Sequence, residues 1–277
     1  MTLPNVWVRI IVGVTLIPVV LFLAWAGGLY LLLFVDLVII LGLREFYRIA
    51  ATKEIEPNQI LGMIGGIGIS LAAWGQQDEF IPGIIMVVLI ATASVEIFRK
   101  NIGSPFLNIA VTVFGLLYVG WLISHLILLR QLPARYGALT DMDGVGAVLI
   151  ALLVPWVCDT AAYFSGQAIG KHKLIPRVST GKTVEGAIGG LVGTPLVLLA
   201  LRTTLFPFLS VIDCVSLGVI GAIVSQTGDL VESLLKRDAG VKDASQIIPG
   251  HGGVLDRFDS VLFSAPFAYY YLILVVL

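Results

Sequence analysis

The sequence predicts an all-α fold, a polytopic integral membrane helix bundle of about nine transmembrane helices. Three observations carry that prediction. Hydrophobic residues make up 58% of the chain and charged residues only 13%, whereas an ordinary soluble domain is about 25% charged. The apolar residues fall in runs of roughly 20, the length that crosses a hydrocarbon layer at about 1.5 Å per residue. The basic residues sort onto alternate loops. Continuous runs, without the alternation of a membrane barrel, specify helices, because lipid offers no partner to an open sheet edge.

The first run, Trp7 to Ala26, is too long for a signal-peptide core and lacks a small-residue cleavage site, so it is expected to remain as a span. Hydropathy windows of about 19 residues place further spans at 28–49, 60–76, 80–98, 105–130, 146–168, 185–206, 209–235 and 259–277. With these spans, one side receives Arg9, Arg44, Arg48, Lys53, Arg99, Lys100, Lys171, Lys173, Arg177, Lys182, Lys236, Arg237, Lys242 and Arg257. The other keeps Arg130, Arg135 and Arg202 from a total of 17 basic residues. Cytoplasmic loops are the ones enriched in Lys and Arg. The N-terminus is therefore expected in the cytoplasm and the C-terminus outside, in the cell inner (plasma) membrane. The two longest polar loops, 169–184 and 236–258, then face the cytoplasm.

No fixed-period repeat, low-complexity tract or soluble appended domain stands out. The expectation is one integral membrane domain, 1–277, with scaffold helices in 1–145 and the chemistry in 146–277. Gly62 with Gly66, and Gly186 with Gly190, have the spacing that lets helices approach closely. They read as packing within the bundle, with a homodimer contact as the alternative. Cys158 and Cys214 lie in apolar runs at no metal-ligand or disulfide spacing, and read as core residues. A net charge of −1 supplies no global basic field, which argues against a nucleic-acid partner.

A charge in mid-membrane costs on the order of 3 kcal/mol, so acids in apolar runs are candidates for function. Asp36 is isolated and reads as a polar contact between helices. Glu45 and Glu96, beside Arg44, Arg48 and Arg99, read as interfacial ion pairs. The C-terminal acids are denser. Asp229, Glu232, Ser233 and Lys236 stand at i, i+3, i+4 and i+7, on one helix face. The loop that follows gathers Arg237, Asp238, Lys242, Asp243, His251, Asp256, Arg257 and Asp259. Pro249, Gly250, Gly252 and Gly253 surround His251, a composition that lets backbone N–H groups approach a phosphate. Carboxylates give Mg²⁺ the hard oxygens it takes beside substrate phosphates, and Lys and Arg neutralise phosphate charge. The combination describes phosphoryl or nucleotidyl transfer. The bland alternative is a solvated loop whose charges pair with one another and with headgroups.

The other polar loop contains Ser179-Thr-Gly-Lys-Thr183. A nucleotide-binding P-loop would need glycine at position 176, which is Pro176, so that reading fails. What remains is Lys171, Lys173, Arg177 and Lys182 beside Ser179 and Thr183, leading into Glu185 and Gly186. Such a loop suits a polyphosphate or anionic lipid. Upstream, Asp159, Tyr163 and Gly166 share a face at i, i+4 and i+7, where Asp159 either completes a polar cavity or pairs with a base.

From Ser233 to Asp259 the chain resembles the signature of CDP-diacylglycerol synthases, also called phosphatidate cytidylyltransferases. The resemblance rests on Ser233, Lys236-Arg237, Lys242-Asp243, Pro249, His251-Gly252-Gly253, Asp256, Arg257 and Asp259. A second block agrees through Asp159, Ala162, Tyr163, Gly166, Gly170, Ser179, Lys182, Thr183, Glu185 and Gly186. It departs at Thr180-Gly181, where the family usually has Pro-Lys, so the role of that lysine does not carry over.

The resemblance implies transfer of CMP from CTP to phosphatidic acid with release of pyrophosphate. It also implies a Mg²⁺ site with Asp229 and Asp256 as ligands, and leaves open a second cation. Lys182, Lys236, Arg237, Lys242 and Arg257 become the expected phosphate-binding residues, and His251 a phosphate contact rather than a proton acceptor. Asp159, Ser179, Thr183, Glu185, Ser233, Asp243, Gly252, Gly253 and Asp259 are the further expected substrate contacts. CTP from the cytoplasm and a lipid held in the bilayer would meet at these loops. The competing readings are a CTP-dependent enzyme acting on an isoprenoid lipid, and an ion-coupled transporter. A transporter requires a polar path across the bilayer, whereas these acids gather on one side.

Overall fold

A computed structural model describes residues 5–100, 103–248 and 252–277, with side chains from residue 14 onward. Helices dominate, in the order α1 (Asn5–Ala26), α2 (Gly28–Ala51), α3 (Gln59–Trp74), α4 (Ile81–Ile97), α5 (Pro105–Gly115), α6 (Leu122–Arg130), α7 (Leu132–Arg135), α8 (Asp141–Ile169), α9 (Val184–Leu205), α10 (Val211–Asp238) and α11 (Leu255–Tyr271). A π turn, Leu116–Trp121, joins α5 to α6, and another, Leu272–Val276, extends α11. Among the described residues the one sheet is a two-stranded hairpin, β1 (Lys173–Ile175) with β2 (Ser179–Thr183).

The all-α membrane bundle expected from composition is the observed class. Among the described residues, six helical segments are long and apolar enough to cross a membrane: Asp78–Ile97, Pro105–Arg130, Asp141–Ile169, Val184–Leu205, Val211–Asp238 and Leu255–Val276. The outer surface matches a lipid solvent. Met86, Val87 and Ile90 of α4 are all more than half exposed, a cost in water but not in hydrocarbon. This is a multi-pass membrane protein.

The chain resolves into two compact units. The first comprises Met1–Ile127 and Leu235–Phe258; the second comprises Leu128–Leu234 and Asp259–Leu277. In the first unit, α3 lies close against α2. A Cβ at Gly62 would enter the Tyr47 ring, and one at Gly66 would come within 2.6 Å of Ile39. Tyr47 then donates to the Thr112 carbonyl at 2.8 Å. Asp36 accepts from Ser70 on α3, the interhelical polar contact expected of it. Glu96 pairs with Arg99 at 3.0 Å and accepts from the Asn108 amide at 3.1 Å, in keeping with its reading as an ion-pair residue.

In the second unit, α8 begins at Asp141, five residues before the apolar run. The reason is a reciprocal cap: the Asp143 N–H donates to Thr140 Oγ1 at 3.3 Å, and the Thr140 N–H to Asp143 Oδ2 at 2.7 Å. Thr140→Ala is expected to cost about 1 kcal/mol, read as a lower melting temperature in detergent with activity retained. The stripe Gly186, Gly189, Gly190 and Gly193 on α9 faces α8. Added Cβ atoms there would come within 2.7 Å of the Ala162 carbonyl and Cys158 Sγ, 2.6 Å of Ala161, and closer still to Ser165. Both glycine spacings seen in the sequence are thus filled from within the chain. Cys158 and Cys214 are buried free thiols, as expected.

Candidate active site

Within segment 169–184, expected as a loop, residues 173–183 instead form the β1–β2 hairpin. Lys173 pairs with Thr183 and Ile175 with Ser179, and the Val178 N–H donates to the Ile175 carbonyl at 3.0 Å to close the turn. The Ser179–Thr183 backbone is therefore a strand, and cannot wrap a phosphate as a P-loop does. Thr183 ends the strand and starts α9, its hydroxyl accepting from the Gly186 N–H at 3.1 Å. Glu185 ties the hairpin base to the end of α8. It accepts from the Lys171 N–H at 3.1 Å and the His172 N–H at 3.2 Å, and pairs with His172 Nδ1 at 2.6 Å.

This framework aims Lys182 at α10. Its ammonium lies 2.5 Å from Asp229 Oδ2, and both side chains are about one-quarter exposed. Ser233, one helical turn on, donates to Asp229 Oδ1 at 3.3 Å, as the i, i+4 spacing expected. Beside the pair is a cavity of about 440 Å³, lined in part by Asp159, Tyr163, Lys182, Thr183 and Gln226. That volume lies within the range of small-molecule sites. Asp159 and Tyr163 reach the cavity from α8, where both are exposed. Asp259 lies at the start of the second unit's share of α11, accepting from the Ser260 N–H at 2.5 Å.

In the first unit a separate cluster forms around Asp256. Its Oδ1 receives the Lys236 ammonium at 2.5 Å, and its Oδ2 accepts from the Gly253 N–H at 2.7 Å and the Ala244 N–H at 3.0 Å. This ion pair is the drier one, with Lys236 10% and Asp256 5% exposed. Gly252 holds φ at +82°, and a Cβ there would lie 2.7 Å from Asp256 Oδ2. Arg237, Lys242, Asp243 and Arg257 are exposed around it, with Arg237 Nη1 donating to the Val241 carbonyl at 3.3 Å. Asp243 lines a second cavity of about 390 Å³ with Arg48, Thr52 and Ser245. His251, with Pro249 and Gly250, lies outside the described residues.

Glu45 requires a correction. It is no interfacial partner of Arg44 or Arg48: it is fully buried and accepts from Ser245 Oγ at 2.5 Å, the Val254 N–H at 3.0 Å and the Leu255 N–H at 2.7 Å. Three neutral donors, two of them at the start of α11, replace the solvent that burial removes. Gln226 was also missed. It extends the Asp229 face by one turn, at i−3, and its Nε2 lies 3.4 Å from the Ala187 carbonyl and from Cys158 Sγ.

The donors suit a hard divalent cation. Asp229 and Asp256 are carboxylates, the hard oxygen ligands such a cation takes, and each is now balanced by a lysine ammonium whose place at the carboxylate a cation would share. Each Oδ1 accepts one hydrogen bond and has a second lone pair. No three acidic, histidine or cysteine side chains converge among the described residues. A Mg²⁺ at either carboxylate would complete its shell with water and substrate phosphates, its usual habit.

A part-exposed Lys182–Asp229 pair beside a small-molecule cavity in the second unit, and a buried Lys236–Asp256 pair in the first, are features suited to an integral-membrane enzyme of nucleotidyl transfer. The sequence profile of the cytidylyltransferase family matches residues 7–275, and the chain belongs to that family. Its relatives include phosphatidate cytidylyltransferases of Staphylococcus haemolyticus, 34% identical over 94% of this chain and 96% of theirs, and of Staphylococcus aureus strain COL, 33% identical over the same shares. The Staphylococcus saprophyticus enzyme of that name is 35% identical over 93% of this chain and 94% of its own.

Proposed function

We propose that the chain makes CDP-diacylglycerol and pyrophosphate from CTP and phosphatidic acid, a step of phospholipid biosynthesis. The observation that carries this reading is that each of the two acids expected to bind the cation sits 2.5 Å from a lysine ammonium, Lys182 on Asp229 and Lys236 on Asp256. An ammonium so placed has a phosphate oxygen as its natural second partner. The relatives named phosphatidate cytidylyltransferase supply the substrate pair.

In the proposed reaction an oxygen of the lipid phosphate attacks the α-phosphorus of CTP. The bond from that phosphorus to the oxygen bridging to the β-phosphate breaks, and pyrophosphate leaves. The nucleophile is already an oxyanion, so positioning and charge neutralisation matter more than a strong base. Lys182, Lys236, Arg237, Lys242 and Arg257 bind phosphate oxygens, with His251 as a further phosphate contact. Asp159, Ser233 and Asp243 contact substrate. Thr183 and Glu185 act by fixing the hairpin that presents Lys182. Asp229 and Asp256 are the residues that would offer carboxylate oxygens to Mg²⁺, which when bound would supply charge neutralisation at the transferring phosphate.

Nine passes, with the N-terminus and the 169–184 and 236–258 segments cytoplasmic, complete the proposal. Support comes from helices at each expected position and from the sorting of basic residues. The membrane is the cell's inner (plasma) membrane, and a homodimer would use faces other than the filled glycine stripes.

Purified protein is to be assayed with CTP and, separately, phosphatidic acid, an isoprenoid phosphate and diacylglycerol. Product confined to phosphatidic acid is expected. Activity confined to the isoprenoid substrate would overturn the assignment. Chelation should reduce turnover to background and added Mg²⁺ should restore it; full activity in excess chelator would remove the metal role.

A further inference from the structure

Nothing in the sequence links Glu45 to the signature loop, which lies 200 or more residues away along the chain. In the folded first unit, however, that loop is held by two buried carboxylates. Asp256 draws in Lys236 and the N–H groups of Ala244 and Gly253. Glu45 draws in Ser245 and the next two N–H groups, Val254 and Leu255. The two sets interleave: neighbouring residues 244 and 245 are split between the acids, and so are 253 and 254. A shift of either carboxylate must therefore move the strand of loop that the other holds.

Gly253 shows how tight the arrangement is. A Cβ on it would lie 2.5 Å from Glu45 Oε2 and 2.6 Å from Oε1, so the position excludes any side chain while Glu45 is in place. Further contacts tie the same ends together. Thr52, at the end of α2, donates to the Ala239 carbonyl at 3.1 Å, and Lys53 pairs with Asp238 at 3.0 Å. These surface contacts are weak individually, while the buried Glu45 contacts are not solvent-screened.

We propose that Glu45 is a positioning residue for nucleotidyl transfer: it fixes the N-terminus of α11 and thereby the orientation of the Asp256 carboxylate. The inference rests on the cytidylyltransferase reading, and it moves α2 from scaffold to catalytic support. Outer-shell groups that orient metal-binding carboxylates typically change metal affinity or activity by about 10–100-fold when removed. A purely structural role would instead lower stability and leave kinetic constants alone.

The test uses the full-length protein in detergent or nanodiscs, comparing wild type with Glu45→Gln, Ser245→Ala and, as a control half-buried acid on the same helix, Asp36→Asn. Two readouts are taken. The first is the Mg²⁺ dependence of kcat with CTP and phosphatidic acid. Glu45→Gln should lower kcat and raise half-saturating Mg²⁺ by about 10-fold or more, Ser245→Ala should act in the same direction by less, and Asp36→Asn should keep the wild-type Mg²⁺ dependence. The second is amide exchange, which needs no activity. In Glu45→Gln, exchange should accelerate at Ala244 and Gly253, which donate to Asp256, as well as at Val254 and Leu255. Unchanged kcat, Mg²⁺ dependence and Ala244/Gly253 exchange in Glu45→Gln would overturn the proposal; if that variant does not fold, the same result in Ser245→Ala overturns it. A wild type inactive with these substrates would sink the functional reading and leave the exchange result to decide the positioning role.

Discussion

Asp256→Asn is expected to lower CDP-diacylglycerol formation by about 10²–10³-fold, the scale for losing one preorganised charged group at a reacting centre, while the protein still inserts and folds. The substitution keeps one oxygen to accept from the Gly253 and Ala244 N–H groups, the contacts that shape the loop. What it removes is the charge that faces Lys236 and would face a cation. Asp256→Ala removes both, and takes from the Lys236 ammonium, only 10% exposed, its 2.5 Å contact with the carboxylate. Breaking a buried pair in that way costs about 3–5 kcal/mol, so the alanine variant should show lost stability together with lost activity. The checks are initial rates at saturating Mg²⁺ and a melting curve for each variant. Near-normal turnover in Asp256→Asn would remove the metal-ligand assignment.

Asp229→Ala should have a comparable effect on turnover but a smaller one on folding, because its pair with Lys182 is about one-quarter exposed and solvent offsets part of the loss. Lys182→Met should also fall by roughly 10²-fold or more. The two residues are in direct contact, so their effects should not add. The double variant is expected to lose far less than the product of the single losses, as residues sharing one interaction do. Strict additivity of the kinetic losses would show that the two act at separate steps, and would break the unit described around β2 and α10.

How much of this was visible beforehand follows from the range of each interaction. Helix positions were legible because apolar runs are local, and their ends were missed where polar residues belong to the helix. Thr140 and Asp143 carry α8 past its apolar run through a local cap, a signal present in the sequence but overridden by hydropathy. The 173–183 hairpin was hidden by its charge: strand pairing consumes backbone groups, which no side-chain pattern of Lys, Thr and Gly reveals. The i, i+4 contact of Ser233 with Asp229 was readable from helical geometry. The Lys182–Asp229 and Lys236–Asp256 pairs were not, since tertiary folding alone selects which lysine meets which acid. Glu45 was misread for the same reason. Its nearest charges in sequence are arginines, but its partners are a hydroxyl and two backbone N–H groups far along the chain.

The central claim is that nucleotide, not phosphate alone, is transferred to the lipid. It is tested most directly by incubating purified protein, phosphatidic acid and Mg²⁺ with CTP labelled at either the α- or the γ-phosphate, then separating lipid from water-soluble products. α-Label is expected in the lipid and γ-label in pyrophosphate. Recovery of γ-label in the lipid, or of no label in lipid from either CTP, would contradict it.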